Sequence, residues 1–178
     1  MTDWTKDSSW KRGQDVELGR FKRLMSVIDP NITEATLEEQ YKHIDWHTRI
    51  GTVDVKAMKK ISRSGSVQSE MIWIEFRNVI GRNGWVYGDQ DWVAFEMPDG
   101  FIFVRTIQLS ELASKLCNTS DMVSTAKEAL YKGYQRKGMR DVISMITVND
   151  VKKIPHFTIK DTSPAPAIET DAEDSAFI

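Results

Sequence analysis

Two aspartates and a lysine stand close together in residues 43–56, His-Ile-Asp-Trp-His-Thr-Arg-Ile-Gly-Thr-Val-Asp-Val-Lys. The run has the pattern of a β-hairpin. With its turn at Arg49-Ile50, Asp45 falls directly across from Asp54, and the alternation of side chains along a strand puts Lys56 on the same face as Asp54. Like charges opposed at about 5 Å between Cβ atoms destabilise a hairpin unless something positive lies between them. A divalent cation fits that place. Mg²⁺, or Mn²⁺ in its stead, is a hard ion that takes one or two carboxylates and keeps water in its other positions, and such water is a ready nucleophile for phosphodiester hydrolysis. The alternative is an exposed hairpin in which Lys56 neutralises both acids. Against it, Val53, Val55 and Met58 give the segment an apolar side that a wholly solvated hairpin does not need.

An Asp followed by Asp-x-Lys on the next strand, here Asp45 and Asp54-Val55-Lys56, resembles the PD-(D/E)xK nuclease superfamily. The resemblance implies a metal-dependent endonuclease with a restriction-endonuclease-like core. Asp45 and Asp54 would be metal ligands, Lys56 would position the attacking water, and a glutamate from an upstream helix would assist. The helix is expected over 11–25, and Glu17 is the matching position, with Asp15 as a rival. Ile44 stands where many members have proline. Small size without an added recognition domain looks like phage or mobile-element nucleases, and the host cytoplasm would then be the compartment. A catalytically silent nuclease fold that binds nucleic acid or protein is the competing expectation.

Other clusters are less specific. His43, Asp45 and His47 alternate on one strand, but the outer Cα atoms would be roughly 13 Å apart at about 3.3 Å per residue, too far for one transition metal. Lys59 and Lys60 follow the hairpin as candidate phosphate contacts. Lys132, Arg136, Lys137 and Arg140, interleaved with Tyr131 and Tyr134, form the densest basic-aromatic patch, either a solvated helix face or a nucleic-acid groove wall. Glu75 interrupts an apolar strand and needs a partner there, either as an acid in the outer shell of the metal site or in a pair with a nearby Arg or Lys. The Gly81-Arg-Asn-Gly84-Trp segment reads as a turn only.

The elements that must position these residues are expected in the order α, β, β, β, β, β, α, α, β. Val16, Leu18, Phe21, Leu24, Met25 and Ile28 mark the first helix, which stops before Asp29-Pro30. A short helix over 34–40 precedes the hairpin. Residues 70–77 are apolar on both faces, as in a central strand covered on both sides. A hairpin over 91–107 turns at Pro98-Asp99-Gly100. Helices are expected over 110–116 and about 121–135, a strand over 140–147, and a short turn opened by Asn149 or Asp150. The fold class is therefore α/β (α+β), a single domain with a mixed central sheet flanked by helices.

Composition agrees with a folded domain. The chain has 178 residues, 40% hydrophobic, with six Trp, seven Phe and one Cys, so neither a disulfide framework nor a Cys-rich zinc site can form. No signal peptide or membrane span is visible, and a cytoplasmic protein that does not engage membranes is expected. The net charge is −2, yet residues 161–178 hold five acids and no Lys or Arg. The body, 1–160, is then mildly basic, which is compatible with phosphate binding; the nuclease resemblance implies a nucleic-acid substrate, DNA more than RNA. The tail, 161–178, lacks periodicity and is expected to be disordered. Its end, Glu173-Asp-Ser-Ala-Phe-Ile178, is similar to the C-terminal docking peptides of single-stranded DNA-binding proteins, which would imply a protein partner; an inert solubilising tail and a DNA-mimicking autoinhibitor are the alternatives. A homodimer is also compatible with the sequence.

Overall fold

The computed structural model describes residues 8–61 and 65–161, apart from the side chains of residues 8–10, 17 and 18. Helices α1 (Ser8–Gln14) and α2 (Lys22–Ile28) are joined without a break by a π-helical stretch, Asp15–Phe21. The wider i→i+5 turn brings Val16 and Phe21, five apart, onto one buried face with Leu24 and Met25. Strand β1 (Thr33–Glu34) and helix α3 (Leu37–Gln40) follow, the helix opened by a Thr36–Glu39 capping box. The expected helix over 34–40 is shortened because its first residues pair with strand β2 instead.

Strands β2 (Trp46–Thr48) and β3 (Gly51–Lys56) form the expected hairpin. After β4 (Met71–Arg77), strands β5 (Trp92–Met97) and β6 (Gly100–Arg105) make the second hairpin, and Gly100 (φ +148°) is packed so closely on Ile159 that no Cβ fits. Helix α4 (Thr106–Leu116) starts earlier than its pattern indicated. The helix expected over 121–135 is absent: strand β7 (Asn118–Val123), a single 3₁₀ turn and strand β8 (Lys132–Tyr134) occupy that segment. A Cβ on Gly133 would stand 2.6 Å from the Thr119 carbonyl oxygen, so the glycine serves close strand pairing. Strand β9 (Val142–Thr147), helix α5 (Val148–Val151), capped by Thr147 rather than Asn149, and strand β10 (His156–Lys160) complete the chain.

The architecture is mixed α/β with two mixed sheets and few helices. One sheet runs β1-β2-β3-β5-β6-β10, with β3 parallel to β5; the other runs β4-β9-β8-β7, with β7 parallel to β8. The helical arm 8–28 covers one face of the first sheet, where Phe21 packs among Trp46, Val53, Val55, Phe101 and Phe103. The other face meets the second sheet and α4 through Val93, Phe95, Ile102, Ile72, Ile74, Leu109 and Ile146. A helix layer on each face of one central sheet was expected; here a second sheet takes most of one face. Strand β4 is accordingly an edge strand, with Ile72 and Ile74 buried and its alternate residues partly exposed, because only one of its faces meets the core. Among the described residues no helix is long and apolar enough to cross a membrane.

Candidate functional site

The β2–β3 hairpin is held at its turn and at its open end. The buried Asp29 carboxylate accepts from the Arg49 backbone N–H at 2.7 Å, and the Thr48 hydroxyl donates to the Gly51 carbonyl at 2.8 Å. These contacts fix the register in which Trp46 faces Val53 and Thr48 faces Gly51. One step beyond, Asp45 N–H donates at 2.9 Å to the carbonyl of Val53, the residue that already faces Trp46, so Asp45 lies just outside the paired register, with its carboxyl within hydrogen-bonding reach of Asp54. The chain then leaves the ladder, and the Asp45 carboxylate takes the vacant place by accepting from Val55 N–H at 2.7 Å.

Val53 and Val55 point toward the helical arm, so Asp54 and Lys56 point toward the second sheet. Asp54 is 1% exposed. Lys56 Nζ donates to its Oδ1 at 2.6 Å, while Oδ2 is buried without a hydrogen-bond donor. Burial pushes the Asp54 carboxyl well above the usual range; Lys56 opposes that and Asp45, within hydrogen-bonding reach, reinforces it. The Lys56 ammonium also stands 5.3 Å from the centroid of the Trp85 ring.

Trp85 belongs to the segment that read as a plain turn. Its backbone N–H donates to Glu75, and its carbonyl accepts from Gln90 Nε2 at 2.9 Å. A Cβ on Gly84 would lie 2.0 Å from the Glu75 carbonyl oxygen, and one on Gly88 would lie 2.9 Å from His43 Cβ. The Gly84-Trp85-Val86-Tyr87-Gly88 loop is thus seated against Glu75 and His43, with the Trp85 ring beside the Lys56 ammonium. Glycines on both sides of a tryptophan were the available signal. Burial raises the Glu75 carboxyl, with Trp85 N–H, Lys56 and Arg136 acting downward. His43 sits in the left-handed region at φ 65°, and burial, then Lys56, lowers its basicity while Asp45 and Asp89 raise it.

The structure does not bring every expected residue here. The helical stretch bearing Glu17 packs on the Val53/Val55 face, across the sheet from Asp54 and Lys56, and the Glu17 side chain lies outside the described residues. On that face the buried Glu96 accepts from Arg12 at 2.6 Å, Arg20 at 3.0 Å and Met58 N–H at 2.8 Å, which ties the arm to the sheet. Sequence reading missed it, although an acid inside Trp-Val-Ala-Phe-Glu-Met carries the same warning as Glu75. His47 pairs with Glu39 at 3.0 Å, which removes it from the His43–Asp45 row.

The two basic groups, far apart in sequence, share one side of the molecule. Lys59 and Lys60 are exposed, and the Lys60 carbonyl accepts from Trp73 Nε1 at 3.3 Å. The Trp73 ring lies 6.5 Å from that of Tyr134, between Lys132 and Arg136 in sequence. Lys132 pairs with Asp121 at 2.9 Å and Arg136 with the buried Asp141, whereas Lys137 and Arg140 are exposed. These residues lie on a strand and loops, because the expected helix is absent. Tyr131 is not part of the patch, since its hydroxyl donates to Asp150 at 2.6 Å.

No group of three or more His, Cys, Asp or Glu side chains converges on one ion among the described residues. The Asp45–Asp54 pair nevertheless fits Mg²⁺, which needs only one or two carboxylates. The donorless Asp54 Oδ2 and the mutual repulsion of the two acids are what a cation would satisfy. Comparisons of the chain with protein-family models, curated proteins and solved structures give no match.

Proposed function

We propose that the protein is a metal-dependent nuclease of the PD-(D/E)xK kind, hydrolysing phosphodiester bonds in nucleic acid, with DNA favoured. The observation that carries this reading is the approach of the Asp45 and Asp54 carboxyls to within hydrogen-bonding reach, with Lys56 on Asp54 Oδ1 and Asp54 Oδ2 lacking a donor. Asp45 and Asp54 would hold Mg²⁺ or Mn²⁺; when bound, the ion supplies an acidified water and charge for the phosphoryl oxygens. Lys56, pre-positioned by Trp85, orients that water or offsets charge on the pentavalent phosphorus. Val55 N–H holds Asp45 in place, and Glu75 holds Trp85. Glu75 faces Lys56 and is the better-placed third acid; the resemblance assigned that role to Glu17. The side that carries Lys59, Lys60, Lys132, Arg136, Lys137 and Arg140, with the Trp73–Tyr134 pair, would receive the nucleic acid. The acidic end of the chain would compete with substrate or dock a protein partner.

A second reading, a catalytically silent fold that binds nucleic acid or protein, is favoured by one observation: Lys56 Nζ already neutralises Asp54 at 2.6 Å. Incubation with labelled single-stranded, duplex and branched DNA and RNA, in Mg²⁺, Mn²⁺ or EDTA, separates the two. Metal-dependent cleavage supports the nuclease; binding without cleavage in either metal supports the silent fold.

A further inference from the structure

The turn that links β4 to the Trp85 loop carries two exposed aliphatic residues, Val79 (43% exposed) and Ile80 (59%). It is rigidly built. Asn78 N–H donates to the Arg82 carbonyl at 2.8 Å, and Asn78 Oδ1 accepts from Ile80 N–H at 3.2 Å and Arg82 N–H at 3.0 Å. Gly81 takes φ +89° and donates to the Asn78 carbonyl at 2.9 Å. From outside, Arg140 N–H donates to the Val79 carbonyl at 3.2 Å. An Asx turn of this kind spares the backbone any need for burial, so nothing in the fold requires Val and Ile at its tip.

The surroundings are cationic. Arg77, Arg82, Lys137 and Arg140 are exposed, and among the described residues no carboxylate pairs with any of them; the nearby Asp141 is fully buried and engaged by Arg136. A stiff aliphatic tip with Arg140 against it and the exposed Arg77, Arg82 and Lys137 close by in the chain complements a polyanion with an apolar interior better than it does a protein or a lipid surface. Side chains of this type enter base steps, partly unstack them and hold the flanking phosphates with arginine.

We propose that the Asn78–Arg82 tip is a wedge that lodges Val79 and Ile80 in an opened base step of DNA, so that the substrate class is duplex already interrupted by a branch, nick or frayed end. This deepens the nuclease reading and rests on it for the step that follows binding. Glu75 and Trp85, which touch the candidate site, lie on the two strands of chain that lead into and out of the tip. Ile80 is five residues beyond Glu75, at most roughly 16 Å at about 3.3 Å per residue, since the chain turns after Arg77. That is about five nucleotide steps at 3.4 Å per strand, and it places cleavage within about five nucleotides of the interruption.

The test is binding by the full chain in EDTA, where no cleavage occurs, to a three-way branched DNA and to an intact duplex of equal length, each with 2-aminopurine at the central step. An intact step must be unstacked and a branch has already opened, so the wild type should prefer the branch by about ten-fold or more, with a rise in fluorescence. V79S/I80S should bind the branch no better than the duplex and lose the fluorescence rise, with duplex affinity and melting temperature unchanged. R82A/R140A should weaken both substrates and reduce the salt slope by about 1–2. A retained branch preference in V79S/I80S overturns the wedge while leaving the nuclease reading to the cleavage panel. Absence of binding to any DNA in EDTA likewise overturns the wedge and leaves the nuclease reading to the cleavage panel. Wild-type dimers that V79S/I80S abolishes, without branch preference, assign the tip to a second copy of the chain and also overturn the wedge.

Discussion

Asp54→Asn is the perturbation that most sharply separates a metal site from a structural ion pair. The substitution keeps side-chain volume and removes one buried charge. Lost is the attraction of Lys56 at 2.6 Å, on the order of 6 kcal/mol at an effective dielectric of about 20. Gained are the relief of Asp45 repulsion, about 4 kcal/mol at roughly 4 Å, and the several kcal/mol that burial of a carboxylate costs. The Lys56 side chain is 23% exposed, so its ammonium can turn to water instead of remaining buried and unpaired. The terms nearly cancel, with the balance on the side of the variant. Without metal, the melting temperature of Asp54→Asn is expected to hold or rise by a few degrees, at about 2–4 °C per kcal/mol for a chain of this size. Outer partners of metal ligands alone are worth about 10–100-fold, so loss of a ligand should lower cleavage by more than about 100-fold. Thermal melting in EDTA, cleavage in Mg²⁺ and calorimetric Mg²⁺ titration read the three quantities. Full activity at ordinary Mg²⁺ refutes the site; a metal-free melting temperature lowered by more than about 10 °C refutes the electrostatic reasoning.

Lys56→Ala should lower kcat severely with a modest change in substrate affinity, and Lys56→Arg should not restore it, because a planar guanidinium cannot reproduce a compact ammonium beside Asp54 and Trp85; equal losses in rate and affinity that arginine repairs would make Lys56 a plain phosphate contact. Glu96→Gln leaves Arg12 and Arg20 without their buried anion and should cost about 3 kcal/mol, roughly 6–12 °C in melting temperature; wild-type melting in this variant would show that the arm is held by apolar packing alone. Asp150 gives a pH signature: burial acts upward, but hydrogen bonds from Tyr131, Lys153 and Thr147 hold its carboxyl far below the usual range. A carboxyl depressed on folding contributes stability that is full above its unfolded pKa, about 3.9, and is lost as pH falls toward the folded value. The stability gap between wild type and Asp150→Asn, from urea melts, should be constant above about pH 5 and close below about pH 4; a gap that widens in acid reverses the sign and sinks the assignment.

What was legible in the sequence depended on local pattern. The apolar stripe Val16, Phe21, Leu24, Met25 marked the first helix, Pro98-Asp99-Gly100 the second hairpin, and alternation around Arg49-Ile50 the hairpin register that sets Trp46 against Val53. These features rest on neighbours in the chain, where helical and strand periodicities act directly. The segment 121–135 defeated the same method: with weak periodicity, strand partners outside it decided its state, and Gly133 fits only because the Thr119 backbone approaches it. A run apolar on both faces implied a central strand at 70–77, yet which face is covered depends on the assembly of two sheets.

The candidate site divides in the same way. Asp54 and Lys56 share a face by residue type and a two-residue period, which no later folding event can alter without a slip of register, whereas Asp45 lies beyond the paired residues and reaches Asp54 through the local path of the chain. Only the tertiary structure decided that Trp85 and Glu75 join them, that Glu96 gathers Arg12 and Arg20 on the opposite face, and that the basic residues near 60 and 136 share one side. The reason is physical: spacing along a chain sets which side chains share a face, whereas burial, desolvation and the approach of a distant loop are properties of packing between elements, and these set the charge state and reach of Asp54 and Lys56.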